Sequence, residues 1–420
     1  MMIRGRSLFA KSILDFAEKP LWVFLFAFVV YFVLSVFGGS PFRVRDTAYF
    51  NYLADAFLHG QLHLRLLPAS LHDLSFFGGK YYLYWPPMPA IFLMPLVAVF
   101  GVGVSDVFFN VVIAAANVAI FAALLRAVDR KGLIQLDAGF RALLSLFFAF
   151  GTVHLILALF GKLWFTAQLV GFFLVALAYL CAIELKDGKA FFIVGVLIAS
   201  AMMTRNHLLF TGIWPAFHLI SRYWRDRPKI YGYILLMLLP LITAGLLFLA
   251  YNFARFGSPI ELGITYHKMD SFFVEDYKKY GAFNLYYVPI NFYYEYIYYP
   301  IPAFFRFVQQ QDLSVLMGGS LFLLSPVFFG ALVGAYIERA SLKIWVLVTS
   351  IIFTNIPVLL VMGTGWMQYG PRYTLDFTVP LLLLTAHGIR YLPKGLVKWL
   401  VAVSIVQYIP GIYLFVKLQI

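Results

Sequence analysis

The chain has 420 residues, of which 62% are apolar, 19% aromatic and only 12% charged. Soluble domains carry about 25% charged residues, so too little polar surface is present to clothe a water-soluble body of this length, and a soluble enzyme is excluded. The net charge of +13 sits in short segments between apolar runs, which points to membrane topology and lipid headgroups rather than to nucleic acid.

Runs of about 18 or more apolar residues are candidate membrane spans. A basic flank (Arg4, Arg6, Lys11, Lys19) precedes the first, Leu21–Phe37. It is longer than the core of about 7–15 residues in a signal peptide and reads as an uncleaved span; cleavage at Gly38-Gly39-Ser40 is the alternative. Residues 38–105 form a first long loop, with an amphipathic helix at Thr47–Leu58, a tight hairpin turn at Gly78-Gly79 and an interfacial or re-entrant helix at Pro86–Gly101. Spans follow at Phe108–Leu125, Leu143–Phe160, Phe165–Ile183, Phe191–Thr204, Leu208–Ile220 and Ile230–Phe253. The pair flanking Thr204-Arg205-Asn206-His207 is short, as half-spans lining a cavity are. Residues 254–312 form a second long loop, whose tyrosine-rich stretch Asn284–Phe307 suits the outer membrane surface. Leu313–Tyr336, Trp345–Met362, Phe377–Ile389 and Leu396–Phe415 bring the reading to roughly eleven spans. The fold class is therefore an all-α polytopic membrane protein, one transmembrane domain over residues 1–420. The single cysteine, Cys181, allows no internal disulfide.

With the N-terminus in the cytoplasm, alternation places 19 of the 32 basic residues but only 8 of the 19 acids on the inner side. The positive-inside bias thus puts both long loops outside a plasma (inner) membrane, along with any chemistry they carry.

Arg45-Asp46-Thr47-Ala48-Tyr49 directly follows the first span. A carboxylate there suits taking a proton from an attacking hydroxyl, or holding a cation; the competing role for Asp46 is capping the Thr47–Leu58 helix. His59 and His63 have the i, i+4 spacing of a metal chelate without a third clear ligand, so no metal is assigned and no cofactor is indicated. His72-Asp73 precedes Gly78-Gly79-Lys80-Tyr81-Tyr82 and runs on to Pro86-Pro87. Lys80 has the reach of a phosphate ligand or of a snorkelling surface lysine. Arg205 lies in the turn between the short spans. Tyr251 to Gly263 contains Arg255 and Glu261. Gly370-Pro371-Arg372-Tyr373 carries a guanidinium whose planar fork suits phosphate, or else anchors the chain at the interface. No dinucleotide fingerprint or P-loop is present.

These blocks, in this order, resemble a bacterial GT-C glycosyltransferase of the broad group related to protein O-mannosyltransferases and the lipid A aminoarabinose transferase. The likeness rests on Asp46 after the first span, the stretch from His72 to Pro87, the YNFARFGSP block and the GPRY block. It implies a GT-C-like bundle, a polyprenyl-phosphate-linked sugar as donor, a glycan, lipid or protein acceptor, and inversion at the anomeric carbon at the outer face. It implies Asp46 as the catalytic carboxylate. Arg372 would hold the leaving phosphate, with Lys80, Arg205 and Arg255 as helpers; Arg45, Tyr49, His72, Asp73, Tyr82, Glu261 and Tyr373 would contact substrate. Protein-directed members carry two adjacent acids where this chain has Asp46-Thr47, and no soluble domain is expected after the last span. The rival readings are an O-antigen ligase or polymerase, a lipid-linked substrate flippase, and a non-catalytic scaffold.

Overall fold

The computed structural model describes residues 19–311, 313–363 and 368–418. Its helices, in chain order, are α1 (Pro20–Phe37), α2 (Tyr49–Leu58), α3 (Met88–Phe100), α4 (Asp106–Arg130), α5 (Ala138–Phe150), α6 (His154–Leu159), α7 (Leu163–Glu184), α8 (Asp187–Met202), α9 (Ile213–Tyr223), α10 (Arg227–Phe256), α11 (Ser271–Tyr280), α12 (Val288–Phe292), α13 (Ile301–Gln310), α14 (Leu321–Leu324), α15 (Phe329–Ile337), α16 (Leu342–Leu360), α17 (Thr378–Ile389) and α18 (Lys394–Leu418). Two strand pairs complete it. One is an antiparallel hairpin, β1 (Ser75–Phe77) with β2 (Lys80–Tyr82); the other is a short parallel pair, β3 (Met317–Gly318) with β4 (Gln368–Tyr369).

Six helices among the described residues (α1, α4, α7, α10, α16 and α18) are long and apolar enough to cross a membrane. The other apolar runs are short, as in α8 and α17, or broken. Leu143–Phe160 divides at Gly151 into α5 and α6, and Leu313–Tyr336 divides into short turns, α14 and α15. The run Leu208–Ile220 begins as a 3-10 turn, Asn206–Gly212, before α9. Backbone broken in this way is stable at membrane depth only where protein or a polar cavity satisfies it. α4 and α7 are largely buried in the bundle, whereas only 11% of the α10 window is buried and α10 packs mainly on α8, with a smaller contact to α9. α15 and α17 approach backbone to backbone: a side chain at Gly388 would overlap the Gly330 carbonyl, the close contact that small residues permit in membranes.

The bundle has two distinct ends. At one, the basic segments meet: Arg130 with Glu184, Arg141 Nη1 with Asp129 Oδ2 (2.5 Å), Lys394 Nζ with Asp137 (2.7 Å) and Arg390 Nη2 with Glu338 (2.5 Å). These are the segments that the charge bias assigns to the inner side. At the other, the two long loops join. The Ser75 hydroxyl donates to the Gly263 carbonyl (2.7 Å), and Asp73 N–H donates to the Lys268 carbonyl (3.2 Å).

Candidate functional site

The hairpin is the local device that builds one wall of the site. Gly78 and Gly79 both have positive φ (57° and 76°), as a two-residue primed turn requires, and Phe77 pairs with Lys80 across it. The tether to the second loop aims the segments on either side of the hairpin, His72-Asp73 and Tyr84-Trp85, into a cavity of about 760 Å³, within the range of about 300–1,000 Å³ typical of ligand sites. The opposite wall is the turn between α8 and the 3-10 segment (Arg205, Asn206, His207), the start of α7 (Lys162, Trp164, Phe165) and Arg372-Tyr373. The rest is mostly apolar (Leu209, Phe210, Leu262, Ile264, Phe273, Phe283, Val358, Val361 and Met362), with His267 and Asp270 among it.

The polar pole is cationic. Arg372 is buried; Nη2 donates to the Tyr373 hydroxyl (3.0 Å), and Nη1 has no hydrogen-bond partner among the described residues. Its backbone is fixed by Gln168 Nε2, which donates to the Arg372 carbonyl (2.8 Å). Tyr373 lies between two guanidiniums, with Arg372 4.3 Å and Arg205 5.1 Å from its ring centre. Arg205 Nε sits 3.0 Å from Asp376 Oδ2, which His207 Nε2 also contacts at 2.7 Å. Burial pushes the Asp376 carboxyl up, but Arg205, His207 and Arg372 outweigh it and hold Asp376 below its ordinary value. Lys162 has no carboxylate partner among the described residues; burial, then Arg372 and Arg45, bring its amine down to about 7.

On the hairpin side, the buried Asp73 has φ +63°. Its Oδ1 meets His267 Nε2 at 2.8 Å and His72 Nε2 at 3.5 Å. Tyr49 is fully buried, and its hydroxyl is pushed up to about 12 by burial and by the charges of Asp73 and Asp46, so both acids stand near it. Asp46 itself is exposed. It does not cap α2: the helix begins at Tyr49 with Ala48 in the cap position and no side-chain cap bond. Its position comes from α4 instead. Asp106 Oδ1 accepts the Arg45 N–H (3.1 Å), and Ser105 Oγ donates to the carbonyls of Pro41 and Arg43 (2.8 Å each). A side chain at Gly161 would collide with the Asp106 carboxylate, so the turn leading to Lys162 closes directly on that same acid.

Of the residues singled out from sequence, His72, Asp73, Arg205, Arg372 and Tyr373 line the cavity; Arg45, Asp46, Tyr49, Lys80, Tyr82, Arg255 and Glu261 do not. Lys80 is exposed on the hairpin, near His63. Arg255 is consumed locally: it donates to the Leu83 carbonyl (2.8 Å) and Asn252 Oδ1 (2.7 Å), between the Tyr251 and Phe256 rings. Tyr82 packs on Phe256 in the same cluster. Glu261 accepts from Gly263 N–H (2.6 Å) and the Thr265 hydroxyl (2.7 Å), shaping its own loop. His59 lies past the end of α2 and bonds the Asp55 carbonyl (2.8 Å), so the helical spacing to His63 does not exist. Lys162, His207, His267 and Asp376 were missed from sequence. Two left a signal: Lys162 is the lone charge between residues 142 and 183, and Asp376 is the single acid after Glu338.

No protein-family model and no curated protein matches the chain. Two solved structures resemble it, both of the Archaeoglobus fulgidus oligosaccharyltransferase. The complex with Zn and sulfate superposes with a TM-score of 0.52 at 13% identity, over 94% of this chain and 52% of that one. The apo form gives 0.49 at 12% identity, over 95% and 56%. The chain therefore spans about half the length of the solved chains it matches. At this identity the likeness is one of fold: an all-α polytopic membrane architecture shared with that enzyme.

Proposed function

We propose that the protein is a membrane glycosyltransferase that moves a sugar from a polyprenyl-phosphate donor to an acceptor hydroxyl at the outer face of the membrane, with inversion. One observation carries this reading: a single cavity joins a cationic pole (Arg372, Arg205, Lys162) to a long apolar wall. A lipid phosphate has that polarity. A nucleotide sugar does not, and no nucleotide-binding motif is present. The fold is shared with an oligosaccharyltransferase that was crystallised in complex with Zn and sulfate.

The chemistry is one in-line displacement. The acceptor oxygen attacks the anomeric carbon, the bond from that carbon to the phosphate oxygen breaks, and the electron pair leaves with the phosphate. Asp46, the free carboxylate on the loop leading to the cavity, takes the hydroxyl proton. Arg372 holds the charge that grows on the leaving phosphate, where a preformed donor helps most. Asp73, engaged by His267 and His72, positions the wall rather than the proton. Among the described residues no group of three His, Cys, Asp or Glu side chains is arranged to hold a metal ion.

The test is to incubate purified protein with a panel of polyprenyl-phosphate sugars and follow consumption of donor and release of lipid phosphate. Release with one member of the panel is expected. Turnover in detergent with a nucleotide sugar alone would overturn the reading, and transbilayer movement of an intact donor would make the protein a flippase. Impermeant labelling of cysteines placed at residues 70–80 and 270–279 checks the sidedness; labelling only after permeabilisation would reverse it.

A further inference from the structure

Lys162 is the feature of the cavity that the proposed reaction leaves unused. Its side chain is 8% exposed, and it opens onto the cavity beside Arg372. Three rings surround the amine: Trp164 at 5.5 Å, Phe165 at 5.9 Å and Phe415 of α18 at 5.7 Å. The charges that face it, Arg372 and Arg45, have its own sign. Asp106, the acid behind Gly161, accepts the Arg45 N–H through Oδ1, faces Arg45 and the first N–H groups of α4, and forms no ion pair with Lys162. A buried ammonium among aromatic rings and like charges is costly unless an anion joins it. The acids at or near the cavity do not supply one: Asp376 is taken by Arg205 and His207, Asp73 by His267, and Asp270 caps α11 through the Phe272 N–H.

We propose that Lys162 is a ligand for the phosphate of the lipid-linked substrate, and that it takes up a proton from solvent as that phosphate binds. This rests on the reading of the cavity as a lipid-phosphate site, and adds a residue and a proton to it. The balance is simple: a neutral amine, one solvent proton and a phosphodiester monoanion give an ammonium–phosphate pair, with no bond to carbon or phosphorus changed. Empty, the amine titrates at about 7; beside a phosphate its charged form gains a partner, and its titration moves upward.

The experiment measures binding of farnesyl methyl phosphate, a phosphodiester with no ionisation near neutrality, and of dimethyl phosphate, which lacks the chain, from pH 6 to 9. Wild type should bind the farnesyl compound with constant Kd below about pH 7 and weaken by up to about tenfold per pH unit above it. Calorimetry at pH 8 in two buffers of different ionisation enthalpy should show nearly one proton taken up. Lys162→Arg should bind well without the pH dependence, which also shows that the site survives substitution. Lys162→Gln should bind weakly at pH 6 and equally weakly at pH 9. Wild-type affinity in Lys162→Gln at pH 6, or survival of the pH dependence in that variant, would overturn the role of Lys162 and leave the donor reading standing. Lys162-dependent binding of dimethyl phosphate with no preference for the farnesyl compound would uphold Lys162 and overturn the lipid donor. Wild type that binds neither compound overturns both.

Discussion

The two ends of the bundle treat charge in opposite ways. At the basic end, cations reach carboxylates: Lys394 finds Asp137, Arg390 finds Glu338 and Arg141 finds Asp129. At the cavity end, Arg205 reaches Asp376, but among the described residues Arg372 keeps one nitrogen without a hydrogen-bond partner and Lys162 has no acid, although both are more deeply buried than the pairs at the basic end. Exposed pairs contribute roughly 0–1 kcal/mol, while burying an unpaired charge costs several times as much. A fold that supplies partners where water would do, and withholds them where burial makes them matter, reserves those cations for something outside the chain.

The strongest way to break this comparison is at the acid. Asp46→Asn should lower transfer by roughly 10²–10⁴-fold, the usual contribution of a general base, with donor affinity retained. If that variant turns over normally while Asp73→Asn is inactive, the base is Asp73. Next is Arg372→Ala. A hydrogen bond to a charged group contributes about 1.5–3 kcal/mol, so donor affinity should fall by roughly 10- to 150-fold. Arg372→Lys should recover part of this, since it keeps the charge and loses the fork. Unchanged affinity in Arg372→Ala would make the residue an interface anchor.

A third test uses Glu295, buried on a single turn of π-helix at Tyr293–Ile297 with neither carboxylate oxygen bonded. Burial, then Asp376, raises it to about 8 against the pull of Arg372. The folded state therefore holds a proton that the unfolded chain, titrating near 4.5, has given up. Stability should fall from pH 5 to 8 and level off above. Glu295→Gln should flatten that slope, so its Tm advantage over wild type should be several degrees at pH 8 and shrink toward pH 5. A constant difference across the range would mean that the carboxyl is not protonated. The smallest effects are expected at exposed charges. Lys394→Ala should cost about 0–1 kcal/mol by thermal unfolding, and Lys80→Ala should leave donor affinity within twofold. A large loss in Lys80→Ala would return that lysine to the phosphate.

Much of this contrast was legible in the sequence. Apolar runs gave the helical membrane class, Gly78-Gly79 gave the hairpin, and the charge bias grouped the segments that the structure gathers at one end. His72-Asp73, Arg205 and Arg372 were each picked out locally, and they meet in one cavity. What failed was the sorting of cations into reserved and consumed. Arg255 looked as available as Arg372, yet the Leu83 carbonyl and Asn252 occupy it. Those partners come from packing, and the first lies 172 residues away in sequence. Asp376 pairs with Arg205 across the fold, a contact that no sequence pattern marks.

The grip of α4 on the first loop has a mechanical consequence. Asp46 follows Arg45, whose peptide N–H is held by Asp106, and Ser105 holds the two carbonyls before it. α4 has 25 residues, about 37 Å at 1.5 Å per residue, longer than a hydrocarbon core of about 30 Å. Such a helix meets a thinner or thicker bilayer by changing its tilt. The acid proposed as the base is thus referenced to a candidate membrane-spanning lever rather than to the loops around it, and under that proposal lipid thickness becomes part of the geometry of the site.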